Sequence, residues 1–388
     1  MPQSKGTILY IGGFELPDKN AAAHRVLNNA KAFSAIGYNV VFFGIDKTLE
    51  WGNTPTKSIV SGFDAYATPY PSGVKKWISE YFNSKTVIDI IKSHTDTVAV
   101  VAYNLKAYQF MRIIRYCKKF GIKVISDCTE WYDATASGGL INIACIIDSF
   151  VRMRFINKKV DGMIAISRYL ENHYYSALKS VITVPPLVDV SEEKWQQDCI
   201  NNSDKVHFVY SGDPTGKDRL GKIIECFADA DSPEKFCFEI IGVSKEEFLA
   251  CYPELSGKLN RLNGSVVFHG RVSHKESLKI LKSADYSIFV RDKSRKNMAG
   301  FPTKFVESYT AGVHIIANDV SDIREYFPKD KYSVLAVDGS FERIKAAICK
   351  ALSFGPSELR ENKRSADKNP FDYHMWIDSF ETFFKGLD

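Results

Sequence analysis

Asn201-Asn202-Ser203-Asp204-Lys205-Val206-His207-Phe208-Val209-Tyr210-Ser211-Gly212 decides how the chain is organised. Its first four residues are polar with no apolar period, the mark of a connection. Val206 to Ser211 then reads as a short buried strand closed by a small-residue turn. Downstream, Phe236 to Ile241, Ser265 to Gly270, Tyr286 to Val290, His314 to Ala317 and Tyr332 to Val337 repeat the apolar run, with amphipathic helical stretches between. Strands alternating with helices predict a parallel sheet covered by crossover helices.

The same alternation runs upstream. Strands are expected at Thr7 to Ile11, Asn39 to Gly44, Val98 to Ala102, Lys123 to Ser126, Gly162 to Ile166 and Ser180 to Val184, and helices at Ala21 to Ile36, Lys75 to Lys92 and Leu105 to Phe120. The expected fold is therefore α/β, two tandem doubly wound Rossmann-like domains over residues 1–190 and 205–370 joined by a linker at 191–204. Ligands of such sheets bind outside the carboxyl ends of the strands, so an interdomain cleft is the expected site. Residues 371–388 end in Trp376, Phe380, Phe383, Phe384 and Leu387 at helical spacing, a helix with one apolar stripe that must pack on something.

A length of 388 residues suits two domains, three at most. With 45% apolar and 25% charged residues, disordered and collagen-like classes are excluded. No apolar run approaches the roughly 20 residues that cross a bilayer, and the first apolar stretch is broken at Glu15. Cys117, Cys128, Cys145, Cys199, Cys226, Cys237, Cys251 and Cys349 form no Cys-x-x-Cys pair, which argues against structural zinc and a disulfide framework and for a reducing cytoplasm. Residues 1–190 hold 22 Lys and Arg against 15 Asp and Glu. That excess is too diffuse for nucleic acid, but suits anionic substrates or an anionic membrane surface. A merely solvated basic face is the competing reading.

No Gly-x-Gly-x-x-Gly turn or Walker sequence is present, which disfavours nicotinamide and P-loop chemistry. Three strand-to-helix junctions rich in small residues stand out instead. Tyr10-Ile11-Gly12-Gly13 leads to Asn20, a good N-cap, and then to Ala21-Ala22-Ala23-His24-Arg25, either a phosphate or sugar site or simple tight packing. Tyr210-Ser211-Gly212-Asp213-Pro214-Thr215-Gly216-Lys217-Asp218 brings Lys217 where a cation reaches an anion beyond the sheet. Ala299-Gly300-Phe301-Pro302-Thr303-Lys304-Phe305-Val306-Glu307-Ser308 opens a helix. Pro302 suits its first position, so Gly300, Phe301 and Thr303 can aim N–H groups at an anion. Lys304 opposes the helix dipole until an anion binds, and Glu307, one turn on, can accept from vicinal hydroxyls.

Taken in order, the Gly12-Gly13 loop, Asp161 to Ser167, Val184-Pro185-Pro186-Leu187-Val188-Asp189, Ser211-Gly212 with Lys217, Val267-Phe268-His269-Gly270-Arg271-Val272 and Gly300 to Glu307 resemble the family-four retaining glycosyltransferases of GT-B fold over nearly the whole chain. The resemblance implies a donor-binding second domain, an acceptor-binding first domain, and a terminal helix that crosses back onto the first. It implies Lys217 at the donor diphosphate, Glu307 at the ribose, the Gly300 to Thr303 turn, with Lys304, at the diphosphate and sugar, and Arg271-Val272 beside the base. Where that family has a basic residue after its first donor-domain strand, this chain has Gly212-Asp213, with Arg219 as a substitute. Eight positions before Glu307, where the family has a Glu, stands Ala299. In the first domain Gly12, Gly13, His24 and Arg25 are expected on the acceptor or diphosphate side. Asp127-Cys128-Thr129-Glu130-Trp131-Tyr132-Asp133 would present Trp131 to stack on a sugar and Asp127 or Glu130 to orient an acceptor hydroxyl.

Asp229-Ala230-Asp231 looks like a metal-binding Asp-x-Asp but lies at a helix end before Ser232-Pro233, away from the strand ends, so no metal or other cofactor is expected. Leu140 to Lys159, ending in Arg152, Arg154, Lys158 and Lys159, reads either as a packed helix or as one resting on anionic lipid. The function expected is a retaining, metal-independent transfer of a sugar from a nucleoside diphosphate to a hydroxyl of a glycan or lipid-linked glycan in bacterial surface-glycan synthesis. It is expected in the cytoplasm, at the inner membrane face, with no nucleic-acid partner. A nucleotide-sugar epimerase of similar shape and a catalytically silent binding or scaffold protein are the rivals; product analysis without acceptor separates the first and donor turnover the second.

Overall fold

In the computed structural model, which describes residues 4–131, 140–196, 199, 201–212, 217–230, 232–262, 264–365 and 368–387, β1 (Thr7–Gly12) is buried along nearly its whole length. A central parallel strand needs that, because helices cover both its faces. The first sheet also contains β2 (Asn39–Asp46), β3 (Thr56–Val60), β4 (Phe63–Pro69), β5 (Thr97–Tyr103), β6 (Lys123–Cys128), β7 (Gly162–Ala165) and β8 (Ser180–Thr183), in the order β3-β4-β2-β1-β5-β6-β7-β8. All neighbours pair parallel except β3 with β4. Alternate residues serve opposite cores: Ile8 and Tyr10 face the helix Ala21–Ala35, while Leu9 and Ile11 face the helix Ala107–Lys119.

The second sheet is wholly parallel, in the order β11-β10-β9-β12-β13-β14, built from β9 (Val206–Ser211), β10 (Phe236–Ile241), β11 (Val266–Gly270), β12 (Tyr286–Phe289), β13 (His314–Ala317) and β14 (Val334–Leu335). The chain divides into two units: Met1–Asp189 with Ala299–Phe301 and Phe371–Asp388, and Val190–Met298 with Pro302–Pro370. The expected linker at 191–204 groups with the second unit. It contains a short helix, Glu193–Gln196, whose Trp195 is buried, and Asn201 donates to the Ser283 carbonyl at 3.0 Å.

The terminal helix Ile377–Lys385 belongs to the first unit. Phe33 meets Phe380 and Phe384 edge to face at 5.0 and 5.2 Å, and Phe383 and Leu387 complete the stripe in the same core. At the start of the helix Ala21–Ala35, the Asn20 side chain accepts from the Ala23 N–H at 2.8 Å, the cap its sequence position predicts.

Three local readings change. The hairpin β3-β4 has no counterpart in the expected strands, because β3 is solvent-exposed and carries no apolar run. Its signal is Ser61-Gly62, whose φ angles of 50° and 85° make the left-handed pair of a two-residue turn. The helix expected over Lys75 to Lys92 is two, Val74–Phe82 and Lys85–Ser93. Gln109 separates them by donating to the carbonyls of Glu80 and Asn83. The stretch Leu140 to Lys159 is an α-helix to Val151, then a π turn Arg152–Ile156 and a 3₁₀ turn Asn157–Lys159.

Candidate active site

Beyond the carboxyl end of β9, Ser211, Gly212, Lys217, Asp218, Arg291, Lys296, Thr303, Lys304 and Glu307 line a pocket of about 430 Å³ in the second unit. Its organising group is Asp218, whose side chain is 4% exposed. One carboxylate oxygen accepts from Arg291 Nε at 2.6 Å; the other accepts from Lys304 Nζ at 2.5 Å and from Tyr210 Oη at 3.0 Å. Lys304 Nζ also lies over the Tyr210 ring, 4.3 Å from its centre, a cation–π contact that favours the charged amine. Gly212 makes this cluster fit, since a Cβ there would sit 2.6 Å from Lys304 Nζ and 3.3 Å from Asp218.

Burial would push the Asp218 carboxyl up, but the charges of Lys304 and Arg291 and their hydrogen bonds hold it well below the usual carboxylate range. For Lys304, burial wins over the attraction of Asp218, and with Arg291 nearby the amine is brought down to about 8. The cluster thus holds two cations on one carboxylate, a net positive charge in a low-dielectric wall where a diphosphate gains most. Glu307, one turn into the helix Thr303–Thr310, lies 3.3 Å from His274 Nε2.

The structure brings together five of the expected donor residues, Gly212, Lys217, Thr303, Lys304 and Glu307. Others go elsewhere. Arg219, expected as the substitute basic residue, is solvent-exposed and forks onto Asp292, whereas Arg291 lines the pocket. Arg271 and Val272 follow β11 and are not among the described residues lining the pocket. Gly300 and Phe301 group with the first unit, where the Phe301 ring is buried 6.0 Å from Phe371 and Ser167 Oγ donates to the Ala299 carbonyl at 2.8 Å. Pro302 is the N-cap of the helix Thr303–Thr310, one position earlier than expected. Asp213 and Asp231 lie outside the described residues, and among those described no group of His, Cys, Asp and Glu could hold a metal ion.

Asp218 and Arg291 are the pocket-lining charged residues that sequence reasoning missed. Asp218 directly follows Lys217, and Arg291 follows β12. Nothing local marks either as a partner, because the pair spans 73 positions and forms only through the isolated bridge between their backbones.

In the first unit, Gly12 and Gly13 at the end of β1 line a pocket of about 460 Å³ together with Asn104, Lys106 and Glu130. Its outer wall, Tyr70, Trp77, Glu80 and Tyr81, comes from the hairpin and broken helix that the sequence reading did not resolve. Three expected residues, Asp127, Arg25 and Trp131, take structural roles instead. Asp127 is fully buried, accepting from Arg25 Nε at 2.9 and 3.1 Å and from Tyr10 Oη, while Arg25 Nη1 donates to the Val184 carbonyl at 2.9 Å. This ion pair ties β1, β6, the helix Ala21–Ala35 and the chain after β8 into one core, so neither charge is offered to a ligand. Trp131 is buried edge-on against His173, 4.8 Å away, with no face open to a sugar. His24 is half-buried beside the pocket and does not line it, and Tyr132 and Asp133 lie outside the described residues.

Comparison with known proteins matches residues 191–369, nearly the whole second unit, to the family described as Glycosyl transferases group 1. An uncharacterized glycosyltransferase from Methanocaldococcus jannaschii is 23% identical over 249 residues, and the chain spans about 60% of that relative's length. The catalytic domain of starch synthase IV from Arabidopsis thaliana, solved with ADP and acarbose, superposes with a TM-score of 0.71 at 10% identity, covering 99% of this chain and all of that one. HepE from Anabaena, solved with UDP and glucose, superposes at 0.64 and 10% identity, covering 98% of this chain and 99% of that one. At such identity the likeness establishes the fold, which is GT-B throughout, with a glycosyl transferases group 1 domain in the second unit.

Proposed function

We propose that the chain is a retaining, metal-independent glycosyltransferase that moves a sugar from a nucleoside diphosphate to a hydroxyl of a glycan or lipid-linked glycan, in bacterial surface-glycan synthesis at the cytoplasmic face of the membrane. The observation that carries the reading is the Asp218 cluster, two cations held on one carboxylate beside Lys217 at the strand ends of a glycosyl transferases group 1 domain. Support for a nucleoside diphosphate donor comes also from the UDP and ADP bound by the two structural relatives. Retention and the surface-glycan role rest on the ordered motifs from Gly12-Gly13 to Glu307.

In this reading Lys304, Lys217 and Arg291 receive the leaving diphosphate, whose charge grows as the bond to the sugar breaks. Glu307 accepts from ribose hydroxyls. Glu130, in the first-unit pocket, orients the acceptor hydroxyl. The protein's contribution is positioning and charge neutralisation.

The test is release of nucleoside diphosphate and product from a panel of nucleotide sugars, with and without a chelator. Turnover of at least one donor is expected, undiminished by EDTA. Loss in EDTA that magnesium or manganese restores would remove the metal-free mechanism, and inertness toward every donor would favour a silent binding protein.

A pH profile follows from Lys304. The amine is cationic below about 8 and neutral above it, so turnover per donor concentration should fall as pH rises through 8. At saturating donor the fall should move to higher pH, because the diphosphate favours the ammonium form. Profiles that stay flat above pH 8 would show that the Lys304 charge is not used.

A further inference from the structure

Arg152 opens the π turn Arg152–Ile156 and is only 3% exposed. Its Nη1 donates to Asn104 Oδ1 at 3.1 Å, its buried Nε has no partner, and among the described residues no carboxylate pairs with it. Asp148, one turn earlier, is committed to the Ala107 N–H at 2.7 Å. A buried cation without a counter-charge is costly. What it does for Asn104 explains why it is there.

A guanidinium can only donate. Asn104 must therefore turn its Oδ1 toward Arg152, where that oxygen also accepts from the Thr129 N–H at 3.4 Å, and its Nδ2 toward Thr129 Oγ1 at 2.6 Å. Thr129 is buried and has then accepted once, so its single hydroxyl proton goes to Tyr103 Oη at 3.3 Å. Tyr103 has accepted in its turn, and among the described residues no group accepts from its hydroxyl. Burial, with the charges of Asp127 and Glu130 and against the Thr129 hydrogen bond, pushes this phenol up to about 12, so it keeps its proton. Chained hydrogen bonds of one direction strengthen one another. Tyr103 and Asn104 line the first-unit pocket together with Glu130. Gly12 makes room for them, since a Cβ there would lie 2.4 Å from the Tyr103 carbonyl oxygen and 2.7 Å from the Tyr103 Cβ.

We infer that Tyr103 is the specificity-determining donor of this pocket, giving its proton to one oxygen of a saccharide while Glu130 accepts from a neighbouring hydroxyl, and that Arg152 is the positioning residue that fixes this direction through Asn104 and Thr129. A sugar lacking an oxygen at that place would leave the phenol unpaired, so the pocket discriminates against deoxy sugars. That the saccharide is an acceptor rests on the proposed transferase reading; the direction of the chain does not.

The experiment compares the wild type with Tyr103→Phe, Asn104→Asp and the double variant. Saturation-transfer NMR titrates each with the methyl glycosides of glucose, galactose, mannose and N-acetylglucosamine, and transfer kinetics follow for those that bind. Asn104 has a left-handed backbone, φ 45°, which aspartate also tolerates. Asn104→Asp gives Arg152 a carboxylate, so the unfolding midpoint should rise. It also puts an acceptor where Nδ2 donated. Thr129 then gives its proton to the new carboxylate, Tyr103 gives its own to Thr129, and the pocket loses its donor. Tyr103→Phe and Asn104→Asp should each weaken glycoside binding, and lower turnover per glycoside concentration, by about 3- to 12-fold, as expected for one hydrogen bond. Affinity for a nucleoside diphosphate should stay. The double variant should be no worse than Tyr103→Phe, because both changes remove the same proton. Arg152→Lys, which still only donates, should keep glycoside binding that Arg152→Gln, which can also accept, loses. Normal binding in Tyr103→Phe, or in an Asn104→Asp whose midpoint has risen, overturns the inference. So do additive losses in the double variant, a lowered midpoint in Asn104→Asp, equal binding by the two Arg152 variants, and binding of none of the four glycosides. Glycoside binding that follows the expected pattern without turnover of any donor leaves the inference standing and removes the transferase reading; donor turnover that neither Tyr103→Phe nor Asn104→Asp alters does the reverse.

Discussion

Asp218→Asn is expected to destabilise the second unit by about 3–5 kcal/mol, the usual cost of breaking a buried ion pair by removing one partner, and to abolish most donor turnover. Both effects have one cause. The carboxylate takes Arg291 on one oxygen and Lys304 with Tyr210 on the other, and the three charged side chains are only 4 to 12% exposed. Asparagine keeps the shape and can still accept from Tyr210, but it leaves two cations facing each other without a counter-charge. The cheapest relief is for Lys304 to lose its proton, since burial and Arg291 already push its amine down and only Asp218 and Glu307 oppose them. A neutral Lys304 could not serve the proposed diphosphate. Denaturant unfolding and nucleoside diphosphate release measure the two consequences. A destabilisation under about 1 kcal/mol, the scale of an exposed pair, would show that the cluster is not the buried triad described.

Lys304→Met and Glu307→Ala should each lower turnover per donor concentration by about 10- to 150-fold, because a hydrogen bond to a charged group contributes roughly 1.5–3 kcal/mol. They should differ in kind. In the proposed function Lys304 acts on charge that develops as the diphosphate departs, so its loss should depress turnover more than affinity for the bare nucleoside diphosphate. Glu307 is proposed to hold ribose hydroxyls present throughout, so its loss should weaken that affinity as well. The sequence suggests that both replacements spare the fold, their charged ends facing solvent. The structure corrects this for Lys304, whose side chain is 12% exposed. Its replacement leaves Asp218 with Arg291 alone and should also lower stability. Glu307, more exposed and beside His274, should be silent in unfolding. Near-normal kinetics for Glu307→Ala would remove the ribose assignment.

The apolar period along the chain determined the architecture by itself. Twelve of the fourteen strands fall where short β-rich runs were read, because a strand covered on both faces must be apolar at nearly every position. The stripe from Trp376 to Leu387 likewise recorded a helix that must be buried, and the small-residue turns after β9 and before Thr303 placed Lys217, Lys304 and Glu307 on one sheet edge.

What the chain cannot record locally is the partner of a charge. The sequence offered Asp127 as a site residue and passed over Asp218, yet Asp127 meets Arg25 from 102 positions away in the middle of a core, while Asp218 meets Lys304 and Arg291 beside a pocket. Asp127 ends the apolar run of β6 while Asp218 follows the polar stretch Gly212 to Lys217, and only tertiary packing decided that one lies in the core and the other lines a pocket. Part of the wall of the first pocket was hidden, because β3 is exposed and lacks the burial pattern by which strands are read, and the break that divides the expected helix Lys75 to Lys92 is held by Gln109 from outside it. Exposed apolar side chains carry no period that says whether protein, lipid or water covers them. The fold alone sets one edge of the helix Val74–Phe82 against a pocket and leaves the other exposed.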